Sequence, residues 1–167
     1  MPERRRSLWR ISNHSDLAGQ GGLRASARWH TKGREIVYCA ETPSGALLEA
    51  LVHLEVDSVL ALPKRYQLLR IAFPPAVPTD EVSLASLPGD WKRRMAVTRS
   101  IGDRWLALAR TPALRVPSAV APHACNVLLN PRLLEGTGVR LIEGNRYPFD
   151  ARLFKVVERA RGRAPRR

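Results

Sequence analysis

The chain is poor in cysteine, in aromatic residues and in acidic charge, and each shortage excludes something. Its 167 residues include two cysteines, Cys39 and Cys125, with no CxxC spacing. A disulfide framework is therefore not expected, and both thiols, set in apolar stretches, should be buried and free in a reducing cytoplasm. Four histidines are scattered without ligand spacing, so no metal site is expected. No apolar run approaches the roughly 18–20 residues that span a bilayer. The basic stretch Met1–Arg10 leads into no apolar segment of the secretory type, so neither membrane nor export is expected. The phosphate loops GxGxxG and GxxxxGK[ST] are missing, which argues against Rossmann and P-loop nucleotide sites. No GxSxG elbow surrounds Ser118, which argues against a serine hydrolase. Aromatic residues make up 6% and do not interleave with the basic ones as in base-stacking proteins.

What is present is a chain that is 44% hydrophobic. That suffices for one domain burying roughly two thirds of its unfolded surface. The net charge of +13 suggests a nucleic-acid partner until its distribution is considered. Residues 1–10 hold +3 and residues 151–167 hold +6, leaving +4 on the 140 residues between. The excess therefore sits at the ends. Residues 158–167 read as a basic, disordered tail, either solvated or touching an acidic partner surface or, loosely, nucleic acid.

Along the chain, residues 12–34 are rich in Gly, Ser, His and Asn and read as a loop or lid rather than a core element. Residues 35–40 read as a short strand. Thr42 and Pro43 start a helix running to about Val56. Residues 66–73 read as a strand broken by Pro74 and Pro75. Residues 79–99 read as loop with a short helix around Trp91–Met95, residues 100–109 as a helix, and residues 111–117 as a turn holding Pro112 and Pro117. Short strands follow at Asn126–Asn130, Val139–Glu143 and near Tyr147–Phe154. The fold class is α+β, a small mixed sheet with few helices and no strict βαβ alternation.

The helix over residues 43–56 carries Leu47, Leu51 and Leu54 on one face, expected to be core. Glu49 and His53, four apart, project together from the other face. They are either a solvated pair or the wall of a cleft. In the preceding strand Ile36, Tyr38 and Ala40 point one way, Val37 and Cys39 the other. A buried Tyr38 would need a partner for its hydroxyl. Arg28, leaving the Gly-rich loop, is placed either for a surface ion pair or for bidentate capture of an anion.

Taken together, Leu8-Trp-Arg-Ile-Ser, Gly21-Gly22, Arg28-Trp29, Val37-Tyr38, Ala46-Leu-Leu-Glu49 with His53, Val116-Pro-Ser-Ala-Val120, Asn126-Val-Leu-Leu-Asn130 and Tyr147-Pro-Phe-Asp-Ala-Arg-Leu-Phe154 resemble, in order, the RES domain. The resemblance runs from Leu8 to Phe154. It implies a basic N-terminal extension over residues 1–7, a RES domain over 8–157 and the tail beyond. The implied fold is like that of ADP-ribosyltransferase toxins, a split mixed sheet with a few flanking helices. The implied activity is that of a bacterial toxin cleaving the nicotinamide–ribose bond of NAD+, by hydrolysis or phosphorolysis. Alternatives are ADP-ribosyl transfer to a protein and, further off, a basic nucleic-acid-binding or ribonuclease toxin. NAD+ would be substrate, with no true cofactor. The implied partner is an Xre-type helix-turn-helix antitoxin, through which any DNA contact would pass. The family's arginine falls on Arg28, its tyrosine on Tyr38 and its glutamate on Glu49, the implied catalytic set. Arg28, Tyr38, His53 and Ser118 would bind substrate, Ser118 alternatively orienting Glu49 and His53 orienting Glu49 or the ribose. Many members carry asparagine after Arg-Trp, where this chain has His30.

Overall fold

The computed structural model describes residues 6–53, 66–147, 149–150 and 152–153. Among these residues seven strands, β1 (Arg6–Ser12), β2 (Val37–Ala40), β3 (Gln67–Phe73), β4 (Thr79–Glu81), β5 (Ala113–Pro117), β6 (Cys125–Leu129) and β7 (Arg140–Arg146), join in one mixed sheet. Their order is β4-β5-β6-β2-β1-β3-β7. β4 and β5 are parallel; the other pairs are antiparallel. Among the described residues three α-helices accompany them: α1 (Gly21–Arg24), α2 (Pro43–His53) and α3 (Met95–Leu108). This is the expected α+β architecture with few helices.

Pleating sends alternate side chains to opposite faces, and the strand sequences exploit it. Val37, Cys39, Val127, Leu129 and Ala113 pack on one face with Leu8, Ile71 and Phe73. Leu128, Leu114 and Val116 pack on the other with Trp29, Ile36, Trp91 and Trp105, and Tyr38 joins their edge. Central strand β6 is consequently buried from Asn126 to Leu129, as befits a strand covered on both faces.

α2 starts as its sequence predicts. Thr42 Oγ1 accepts the Gly45 amide at 3.0 Å, and Pro43 occupies the first turn, where its missing N–H costs nothing. Its core face is not the leucine face, however. Ala46 is the buried residue of α2, while Leu48 and Val52 are 42% and 58% exposed. Leu47 and Leu51 are only half-buried, and Leu54, with the rest of the expected helix to Val56, lies outside the described residues. The helix sits against β1 and β2 through small side chains, which lets it approach closely.

Five other expectations need correction. The stretch 111–117 read as a turn instead holds β5 (Ala113–Pro117), an interior strand; Pro112 precedes it and Pro117 closes it, where a missing donor is tolerated. β4 lies in the stretch read as loop, and α3 begins at Met95 rather than Ser100. The Gly-rich segment is no free lid: Trp29 and His30 are each 2% exposed. Gly102 of α3 explains how this comes about, since a Cβ there would fall 1.8 Å from the Trp29 carbonyl oxygen. Only glycine allows the helix to press on that backbone. Finally, Cys39 is buried, its thiol pushed up to about 12 by burial, but Cys125 is only half-buried. The C-terminal tail and part of the Tyr147–Phe154 segment lie outside the described residues.

Candidate active site

Glu49 is held by two buried side-chain donors. Its Oε1 accepts the Ser118 hydroxyl at 2.9 Å and the Asn126 amide at 2.8 Å. Ser118 in turn accepts the backbone amides of Val120 at 3.2 Å and Ala121 at 3.0 Å. Those two amides occupy the oxygen's lone pairs, so the single hydroxyl proton has Glu49 as its destination. Ser118 and Asn126 are nearly buried, at 6% and 9% exposure. The carboxylate is thus clamped through one oxygen. Among the described residues no hydrogen bond reaches Oε2, which is left for something else.

Arg28 is held from behind. One guanidinium nitrogen donates to the Lys92 carbonyl at 3.0 Å, and its Cζ lies 5.6 Å from the centre of a Trp91 ring. Its backbone is fastened to α3: Thr98 Oγ1 donates to the Arg28 carbonyl at 2.7 Å, and Arg99 Nε to the Ala27 carbonyl at 2.8 Å. Among the described residues no carboxylate pairs with Arg28. Its remaining donors are open to an anion.

Tyr38, on β2, has the hydroxyl partner that its burial demands. The oxygen accepts the Trp29 amide at 3.1 Å and lies 2.9 Å from His30 Nδ1. Burial raises the hydroxyl well above the ordinary phenol range, so Tyr38 is a neutral phenol.

These side chains share a cleft of two lobes. One lobe, about 300 Å³, is lined by Arg28, Trp29, Val52 and Met95; the other, about 150 Å³, by Trp9, Ile11, Ala50 and Tyr66. Tyr38, Glu49, His53 and Asn126 line both and mark where the lobes meet. A larger groove of about 720 Å³ opens on the other side of the sheet, but its Arg115 is already matched, at 2.7 Å by Glu41 and 2.6 Å by Glu81. Arg6 lines it as well, but none of the predicted residues does.

The structure therefore brings Arg28, Tyr38, Glu49 and His53 to one cleft. His53 is exposed, and among the described residues the hydrogen bonds to Glu49 come from Ser118 and Asn126 instead. Ser118 stands behind Glu49 instead of in the cleft wall. Asn126 and Trp91 escaped the sequence reading. An asparagine opening an apolar strand was the available signal for Asn126, since a buried amide must find a partner; nothing local marked Trp91. Among the described residues no group of three or more His, Cys, Asp or Glu gathers to hold a metal.

The RES domain family matches this chain over residues 7–150. The chain belongs to the RES family. Relatives match over 90–99% of their own length. Toxin Res of Pseudomonas putida is 44% identical, with 88% of this chain and 99% of the relative covered. Toxin Res of Photorhabdus laumondii is 37% identical over 85% and 90% of the two chains. A protein named Prs ADP-ribosylating toxin, from Sphingobium sp., is 31% identical over 89% and 97%. Among solved structures, the M. tuberculosis MbcT–MbcA toxin–antitoxin complex contains a chain of the same fold. The TM-score is 0.66 at 14% identity, covering 94% of this RES domain protein and 91% of that chain.

Proposed function

We propose that this RES protein is the toxin of a bacterial toxin–antitoxin pair and that it destroys NAD+ by cleaving the nicotinamide–ribose bond. The observation that carries the reading is the meeting of Arg28, Tyr38 and a half-free Glu49 around one two-lobed cleft. In the reaction the bond between ribose C1′ and the pyridinium nitrogen breaks, its electron pair neutralising the ring. Nicotinamide leaves uncharged, so no general acid is required. What lowers the barrier is a fixed negative charge near the ribose, where positive charge develops. Glu49 Oε2 suits that role, accepting a hydroxyl of the sugar while Ser118 and Asn126 keep the carboxylate from turning. Water or phosphate then adds to C1′ and gives up a proton. Arg28 grips the pyrophosphate in the larger lobe, and Tyr38 offers a ring face to the flat base where the lobes meet. NAD+ is substrate here, and no cofactor is invoked.

The test is release of free nicotinamide from NAD+ by the purified protein, freed of any partner. Glu49→Ala should lower the rate by about 10²–10³-fold, the usual effect of losing a preorganised charge. An unchanged rate would refute the assignment. The name of the Sphingobium relative favours a second outcome, transfer of ADP-ribose to a protein. Labelled NAD+ in lysate separates the two: a labelled protein band means transfer, free ADP-ribose means hydrolysis. An antitoxin partner is inferred from the complex that supplies the structural likeness. We expect it to be of the Xre helix-turn-helix kind, to act in the cytoplasm and to carry any DNA contact. Copurification with the product of the adjacent reading frame checks this.

A further inference from the structure

We propose that His30 is a positioning residue for Tyr38 and Arg28, acting as a neutral imidazole that accepts the phenolic proton, and that it gives substrate binding an acid limb. The proposal rests on the reading of the cleft as a dinucleotide site.

For a neutral His30 ring the hydrogen-bond chain leaves one arrangement of protons. His30 Nε2 lies 3.0 Å from the Ala25 carbonyl oxygen, which can only accept, so Nε2 carries a hydrogen. In the neutral ring Nδ1 is then the acceptor and takes the Tyr38 hydroxyl proton across 2.9 Å. The Tyr38 oxygen meanwhile accepts the Trp29 amide. The phenol has thus used its donor inside the protein, and what it presents to the cleft is its ring. Two anchors, Trp29 and His30, fix that ring to the segment bearing Arg28. The link therefore sets the spacing between the two groups that would bind substrate. Glu49 is held separately, by Ser118 and Asn126.

His30 is enclosed from every side. A Cβ on Gly22 would fall 3.1 Å from its Nε2 and 2.1 Å from the Arg34 carbonyl oxygen, so the pocket is closed by glycine backbone. The charged groups facing it are Asp103 and Arg99, both of α3, with Arg28 facing the attached phenol. Asp103 is largely spoken for: Arg34 pairs with it at 3.0 Å, and Thr31 donates to it twice, at 2.9 and 2.6 Å. Burial accordingly outweighs the attraction of Asp103 and lowers the imidazole below its ordinary range. The neutral form is the resident one at neutral pH. On acidification Nδ1 gains a hydrogen, the acceptor becomes a donor, and the phenolic proton loses its place.

Two measurements test this. The first is the long-range imidazole nitrogen spectrum of the full chain, which reads tautomer and titration without reference to activity. We expect the Nε2–H tautomer at neutral pH, titration below the ordinary imidazole range, and an upward shift of that titration in Tyr38→Phe. A charged ring or the Nδ1–H tautomer at neutral pH would overturn the proposal. The second is NAD+ affinity and turnover against pH. His30→Ala should raise Kd and KM about tenfold, the value of one hydrogen bond, with kcat nearly unchanged. His30→Gln, whose carbonyl can accept the phenol but does not titrate, should restore affinity and abolish the acid limb. An acid limb that persists in His30→Gln, or a loss confined to kcat, would refute the role. Wild-type protein that shows the expected tautomer but binds no NAD+ would refute the dinucleotide reading and the acid limb with it, while leaving the His30–Tyr38 link standing.

Discussion

Removing the Ser118 hydroxyl separates a residue that touches substrate from one that holds the acid. Ser118→Ala deletes one of two donors on Glu49 Oε1, leaving the Asn126 amide at 2.8 Å. A hydrogen bond to a charged group contributes about 1.5–3 kcal/mol. Glu49 is half-buried, so the lower end applies, and kcat should fall about tenfold. KM should hardly move, because Arg28 and Tyr38 are untouched. Stability should fall as well, since the amides of Val120 and Ala121 lose their shared acceptor. A part-buried amide left without a partner costs about 1 kcal/mol, which calorimetry reads as a few degrees in Tm. The assay is nicotinamide release at saturating and subsaturating NAD+, repeated for Asn126→Ala and the double variant. Both donors converge on one oxygen, so the double variant should lose more than the product of the single losses, the carboxylate then being free to turn. A raised KM at constant kcat in Ser118→Ala would refute the reasoning and place Ser118 in contact with substrate.

Arg28→Lys keeps the charge but loses the forked donors and the flat face that lies against Trp91; KM in the same assay should rise about tenfold or more, with kcat nearly constant. Gly102→Ala would gain helix propensity in solvent, yet its Cβ would fall 1.8 Å from the Trp29 carbonyl oxygen. Overpacking should cost about 1–3 kcal/mol in denaturant melts and displace Arg28 enough to raise KM. Asp103 supplies a pH dependence of stability. Burial opposes its charge, but Thr31 and Arg34 more than offset that and hold its carboxyl below the usual 3.8. Its contribution is therefore present above that value and lost as pH falls through the lower, folded one; Asp103→Asn should flatten that part of the urea-stability profile.

Much of the fold was legible because local chemistry and global role agree there. Thr42 and Pro43 announce α2 whatever surrounds them, and the alternation Val37-Tyr38-Cys39 announces a strand with two unlike faces. β5 was not legible, because two prolines look the same flanking a turn as flanking a strand. The difference lies in β6 and β4, which supply partners on either side. The leucine face of α2 misled for a similar reason. Periodicity locates a greasy stripe, but whether the stripe or the line Ala46, Glu49, Ala50 and His53 faces the sheet depends on what the sheet offers.

The candidate site divides along the same line. Sequence by itself determined the family and, through the residues that carry the resemblance, pointed to Arg28, Tyr38, Glu49, His53 and Ser118. Only the tertiary structure decided which of them meet. Glu49 and Ser118 are 69 residues apart in the chain and Glu49 and Asn126 are 77, yet they meet at hydrogen-bond distance. The same holds for Arg28 and its Lys92 carbonyl, separated by 64 positions. Spacing rules reach about one helical turn or one strand neighbour. Contacts set by strand order and by the close approach of α3 at Gly102 have no local signature, because they exist only once the sheet has closed around them.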